Sequence, residues 1–133
     1  MTAVFADTFY FVALSNPRDA AHDRAVAWTA TFAGRLLTTT WVLTEYANHM
    51  SDPANRQEFL DTLRDLRASD AVMIAPADEP LWEAGLRLFG ERPDKKWSLT
   101  DCISFVVMQQ EGITEALTGD RHFEQAGFVA LLK

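Results

Sequence analysis

The sequence predicts an α/β domain, a three-layer α/β/α sandwich around a mostly parallel central sheet. Three observations carry this. Short apolar runs alternate along the chain with longer segments of helical period. The runs lack the in–out alternation of a strand with one wet face, so they read as strands covered by helices on both sides. The 133 residues, 48 % of them hydrophobic, suffice for one domain (residues 1–133) with one core, and the single cysteine excludes a disulfide frame.

Ala3-Val4-Phe5-Ala6 reads as the first strand, followed by a short helix to about Ser15. Pro17 is placed to open a second helix, with Ala21, Ala25, Trp28 and Phe32 on one face and Gly34 ending it. Leu36 to Thr39 is the second strand, and a helix from about Trp41 to Met50 follows. Pro53 starts the next helix, with Phe59, Leu63 and Leu66 turned inward. Ala71 to Ala75 is the third strand, and a helix from about Asp78 to Phe89 is expected to pack through Trp82, Leu86 and Phe89. After a polar loop from Gly90 to Trp97, Ser98 begins a helix with a stripe of Leu99, Cys102, Ile103 and Val106. Ala116 to Thr118 is the fourth strand, Arg121 to Ala126 a short helical turn and Phe128 to Leu132 the last strand.

The net charge of −7 argues against a protein that holds nucleic acid chiefly by neutralising phosphates. No apolar run approaches the ~20 residues that span a bilayer, and the N-terminus lacks the basic and long apolar regions of a signal peptide. A cytoplasmic location without membrane association is the expectation.

In an open α/β sheet, ligands bind beyond the carboxyl ends of the strands. Asp7 follows the first strand, Glu45 lies one turn into the helix after the second, and Asp120 follows the fourth. Asp101 stands in the first turn of the helix that precedes that strand. Four carboxylates are thus expected to converge on one rim, where they repel one another unless protons or cations intervene. Oxygen donors without Cys or His suit hard cations, Mg²⁺ or Mn²⁺. Each acid also has a plainer role open to it. Asp7 and Asp120 can cap helices, Ser98 to Asp101 forms a capping box, and Glu45 can be a solvated helix residue. Asp78, also after a strand, is a rival to the four.

At these motifs the sequence resembles the PIN domain family, and within it the VapC-type toxin ribonucleases. Asp7-Thr8 at the end of the first strand is similar to the family's first acidic motif, and Thr40-Trp41-Val42-Leu43-Thr44-Glu45 to the segment with its helical glutamate. Ser98-Leu99-Thr100-Asp101-Cys102-Ile103-Ser104-Phe105 is similar to the third motif. Thr118-Gly119-Asp120-Arg121-His122-Phe123, followed by Ala126-Gly127-Phe128, is similar to the last.

The resemblance implies a PIN-like fold and an endoribonuclease dependent on Mg²⁺ or Mn²⁺, with Asp7, Glu45, Asp101 and Asp120 as its acidic quartet. It demotes Asp78. The metal would rest on Asp7, Asp101 and Asp120, with Thr8, Ser98 and Thr100 orienting the carboxylates. Asn48 and His49 share the face of Glu45. The resemblance also implies the toxin of a type II toxin–antitoxin pair, with RNA as substrate, an antitoxin protein as partner and a homodimer as the assembly. A stand-alone housekeeping nuclease and a non-catalytic binding module of the same fold remain open at this point.

Without the quartet, 15 acids face 12 bases. Arg87, Arg92, Lys95 and Lys96 precede the Ser98 motif and Arg121 follows Asp120, so Lys95, Lys96 and Arg121 are candidate RNA contacts. Glu91 and Asp94 interleave with them, as in an ordinary solvated loop. The first helix is apolar on nearly all sides, through Phe9, Val12 and Ala13 on one face and Tyr10, Phe11 and Leu14 on another. It must be buried under the second helix or covered by a partner. The tryptophans form no stacking ladder and read as packing residues. Cys102 reads as a small buried hydrophobe rather than a nucleophile.

Overall fold

The computed structural model describes residues 2–133. Five strands form one sheet, β1 (Ala3–Ala6), β2 (Arg35–Thr39), β3 (Val72–Ala75), β4 (Glu115–Leu117) and β5 (Val129–Ala130), in the order β3-β2-β1-β4-β5. Every neighbouring pair is parallel. Each crossover therefore needs helix, supplied by α1 (Thr8–Ser15), α2 (His22–Thr31), α3 (Thr40–His49), α4 (Arg56–Ala68), α5 (Glu79–Glu91), α6 (Leu99–Glu111) and α7 (Arg121–Gln125). The predicted α/β sandwich is the observed one, and its sheet is wholly parallel.

The chain leaves β1 in one direction to build β2 and β3, then returns to add β4 and β5 on the other side. The order thus reverses between β1 and β4, which opens a crevice at their carboxyl ends. Both strands are buried there: Val4, Phe5, Ala6, Ala116 and Leu117 are at most 1 % exposed. Phe105 and Phe123 pack edge to face below the crevice, with ring centroids 4.9 Å apart, so the turns above it stand on a filled core.

Two prolines do not open the helices assigned to them. The second helix begins at His22 rather than Pro17, because Asn16 and Asp19 turn the chain first, the Asn16 amide oxygen accepting from Arg18 N and an Asp19 carboxylate oxygen from Ala21 N. Likewise Asp52 accepts from Ala54 N, and the fourth helix waits until Arg56. The last strand is shorter than the predicted Phe128–Leu132.

The face of α5 also differs. Leu81 and Gly85 are its buried residues, whereas Leu86 and Phe89 are 36 % and 49 % exposed. Gly85 sets this orientation: a Cβ there would lie 2.3 Å from Ile103 Cγ1, so the bare backbone lets α5 settle directly on α6. Helix α1 is covered largely by its own chain, with Tyr10 bonded to Thr29 of α2 at 2.7 Å and Phe11 stacked on Tyr46 of α3. Its Phe9, Val12 and Leu14 stay half-buried.

Candidate active site

Register places the first two members of the site. Ala6 pairs with Leu117 across the parallel β1–β4 ladder, so the next residues, Asp7 and Thr118, emerge side by side at the crevice. Asp7 is the N-terminal cap of α1 by backbone position, but its side chain makes no capping bond. It turns inward instead, and Thr118 Oγ1 donates to its Oδ2 at 2.9 Å. The same Thr118 oxygen accepts from Asp120 N at 3.0 Å, tying the third acidic residue to the first.

Asp101 and Asp120 keep their capping roles and join the site as well. Ser98 and Asp101 form a reciprocal capping box, Ser98 N donating to Asp101 Oδ2 at 3.1 Å and Asp101 N to Ser98 Oγ at 3.0 Å. Asp120 caps α7 by accepting from His122 N at 2.9 Å. One ligand atom from each of Asp101, Asp120 and His122 lies within 4.8 Å of the others. Asp7 stands outside that tight group but feels it, because Asp101 and Asp120 both act on its ionisation.

Glu45 flanks the cluster rather than entering it. Thr8 Oγ1 donates to Glu45 Oε1 at 2.6 Å, so the residue after Asp7 fixes the glutamate of α3. Glu45, Asn48 and His49 line an open cleft of about 330 Å³. For Thr100 the contact seen is of its carbonyl, which accepts from Ser104 Oγ, and its hydroxyl bonds none of the four carboxylates among the described residues. Asp78 caps α5 by accepting from Leu81 N at 3.0 Å, beyond the edge strand β3 and away from the crevice.

Two participants escaped the sequence reading, Thr118 and His122. Both lie in the motif around Asp120, but Thr118 reads as a strand residue and His122 as a helix residue. Arg121 is exposed next to Asp120, while Lys95 is half-buried and Lys96 exposed in the loop before Ser98. Trp97 is 6 % exposed and its Nε1 donates to Gln125 Oε1 at 3.1 Å, so it is the packing residue expected of it.

The electrostatics are those of a site short of positive charge. Burial, opposed by the Thr118 bond and reinforced by Asp101 and Asp120, pushes the Asp7 carboxyl up to about 7. Burial also raises Asp101, with Asp120 adding to the effect and the Ser98 and His122 bonds opposing it. The Cys102 thiol is pushed up to about 11 by burial and then by Asp101, so it is no nucleophile near neutral pH. Oxygen donors of this kind, held partly out of water with unneutralised charge, fit a hard divalent cation.

The family model for the PIN domain matches residues 4–129. The 23S rRNA-specific endonuclease VapC20 of Mycobacterium tuberculosis is 29 % identical over 130 residues, 95 % of each chain. The crystal structure of VapC20, described as a Sarcin-Ricin loop cleaving toxin, superposes with a TM-score of 0.85 at 27 % identity, covering 95 % of this chain and 96 % of that one. FitAcB from Neisseria gonorrhoeae shares the fold, with a TM-score of 0.68 at 18 % identity over 96 % of this chain and 94 % of its own. A strand order that opens its crevice beside Asp7, aspartates from three separate segments gathered there and a family match over residues 4–129 lead to one statement: this chain belongs to the PIN domain family.

Proposed function

We propose that the chain is a divalent-metal-dependent endoribonuclease that hydrolyses phosphodiester bonds in structured RNA, acting as the toxin of a toxin–antitoxin pair. The observation that supports it most is how the three aspartates are held. Asp7 and Asp101 each accept through Oδ2 and Asp120 through Oδ1, and among the described residues no side-chain donor reaches the second oxygen of any of the three. A scaffold has no reason to hold three mutually repelling acids in this way. Resemblance to VapC20, whose name specifies a ribosomal RNA, supports RNA as the substrate class.

Asp7, Asp101 and Asp120 would hold Mg²⁺ or Mn²⁺, with Glu45 completing the set directly or through a water. The chemistry such an ion supplies when bound is Lewis acidity: a more acidic water, a fixed phosphodiester and a neutralised leaving oxygen. The chain's own task is placement. Thr118 fixes Asp7, the Ser98 cap fixes Asp101, the α7 turn fixes Asp120 and Thr8 fixes Glu45, so little reorganisation is left for the reaction.

The test is Mg²⁺- or Mn²⁺-dependent cleavage of a structured ribosomal RNA fragment by the wild type, Asp7→Asn and Asp101→Asn. Loss of cleavage with a cooperative melt is the expected result, and full activity in either variant rejects the assignment. The toxin role predicts growth arrest on expression, relieved by Asp7→Ala and by co-expression of an antitoxin. The half-buried side of α1 that carries Phe9 and Val12 serves in this reading as a homodimer face, and a strict monomer in sedimentation would remove that part. Among the described residues no helix is long and apolar enough to cross a membrane.

A further inference from the structure

Among the described residues, His122 alone adds a nitrogen side chain to the acidic cluster. Its Nδ1 lies 3.2 Å from Asp101 Oδ2 and 3.4 Å from Asp120 Oδ1. An ionised carboxylate only accepts hydrogen bonds, so Nδ1 carries the proton and donates. The side chain is 21 % exposed, half sheltered by the core on which α7 rests.

The choice of oxygens is informative. Asp101 Oδ2 already accepts from Ser98 N, and Asp120 Oδ1 already accepts from His122 N. The ring therefore approaches the two oxygens committed to the protein, and among the described residues Asp101 Oδ1 and Asp120 Oδ2 accept no hydrogen bond. A metal ligand would be expected on the side of the free oxygens. The bridge also joins two separate pieces of backbone, the first turn of α6 and the first turn of α7, which no ladder connects.

We propose that His122 is a positioning residue whose Nδ1–H clamps Asp101 and Asp120 from behind, so that their free oxygens face a shared divalent cation. The proposal rests on the metal-dependent reading of the site. Losing a donor that orients a ligand typically weakens metal binding about 10- to 100-fold.

The side chain of asparagine can set its amide N–H where Nδ1 of histidine stands, whereas glutamine reaches toward the position of Nε2. Titration calorimetry with Mn²⁺ on the wild type, His122→Asn, His122→Gln and His122→Phe separates the roles, alongside thermal melts in EDTA. The expected order is near wild-type affinity for His122→Asn and a loss of about tenfold or more for His122→Gln and His122→Phe, with all four melting cooperatively. Pulsed electron paramagnetic resonance of the Mn²⁺ complex should show no ¹⁴N coupling that vanishes with His122. Such a coupling would make His122 a direct ligand and overturn the proposal. Equal Mn²⁺ affinity in wild type and His122→Phe also overturns it, while leaving the metal site intact. Absence of Mn²⁺ binding by the wild type overturns the metal reading and this proposal with it.

Discussion

Thr118 Oγ1 donates to Asp7 Oδ2 at 2.9 Å, joining two residues 111 positions apart at the carboxyl ends of neighbouring strands. Thr118 is fully buried and Asp7 is 6 % exposed, so water replaces neither partner. The same hydroxyl accepts from Asp120 N, which makes one oxygen responsible for the relative placement of two acids from opposite ends of the chain.

Thr118→Val should therefore act on stability and activity together. It keeps the shape and removes both bonds, leaving Asp7 and the Asp120 N–H without a partner, at a cost of about 1–3 kcal/mol. Thr118→Ser keeps the hydroxyl and should recover most of the loss. Denaturant melts at pH 7 decide it, and a valine variant as stable as the serine variant would show that the bond contributes nothing.

Asp7 gives the metal-free protein a pH dependence of definite sign. Its carboxyl is held near 7 in the fold, against an ordinary value of 3.8. Between these values the folded state holds a proton that the unfolded chain releases, so stability falls as pH rises through the window and levels off above 7. Asp7→Asn lacks this penalty. In EDTA the variant should match the wild type near pH 4 and exceed it by up to about 4 kcal/mol at pH 8. Mn²⁺ should close the gap by stabilising the wild type alone. A difference that does not change with pH would refute the assignment of the penalty to Asp7.

The placement of Asp7, Asp101 and Asp120 at one rim was legible because strand ends and helix starts are legible, although Asp78 shows that an acid at such a place can serve as a helix cap alone. Thr8 and Ser98 followed from sitting beside them. Thr118 and His122 were not legible, since what ties them to the acids is a contact with side chains 111 and 21 positions away and no local pattern reports it. The α5 face was misread for a related reason. Periodicity favoured the large residues Trp82, Leu86 and Phe89, but the closest approach of two helices is decided by the smallest side chain, Gly85. Pro17 and Pro53 failed as helix starts because neighbouring Asn and Asp side chains closed turns first.

Gly85 supports a direct test of that packing. Alanine ordinarily gains about 1 kcal/mol over glycine within a helix. Here its methyl would meet Ile103 Cγ1 at 2.3 Å, with the Ile103 Cα at 3.4 Å preventing an easy retreat. Overpacking of this kind costs about 1–3 kcal/mol, so Gly85→Ala should lower the melting temperature despite its better propensity. Ile103→Val in the same chain should restore part of the loss. A higher melting temperature for Gly85→Ala alone would show that α5 and α6 sit further apart.

Under the proposed function, the loop before Ser98 is where an RNA backbone would meet positive charge in this acidic protein. Phe89, Arg92, Lys95, Lys96, Trp97 and Cys102 line a cavity of about 470 Å³ with no acidic residue among its walls. Arg92 is already committed, donating from Nε and a terminal nitrogen to Asp94 at 3.0 Å and lying 5.1 Å from the Trp97 ring centre. The half-buried Lys95 and the exposed Lys96 have no such ion pair among the described residues, and Arg121 adds an exposed cation beside Asp120. If two phosphates sit on these lysines, Lys95→Glu with Lys96→Glu should weaken RNA binding about tenfold or more and flatten its logarithmic salt dependence by about one to two. Melting should hardly change, because surface charges of this kind contribute little to stability. Binding measured from low to moderate salt on wild type and double variant makes the comparison, and parallel salt slopes would remove the loop from the substrate path.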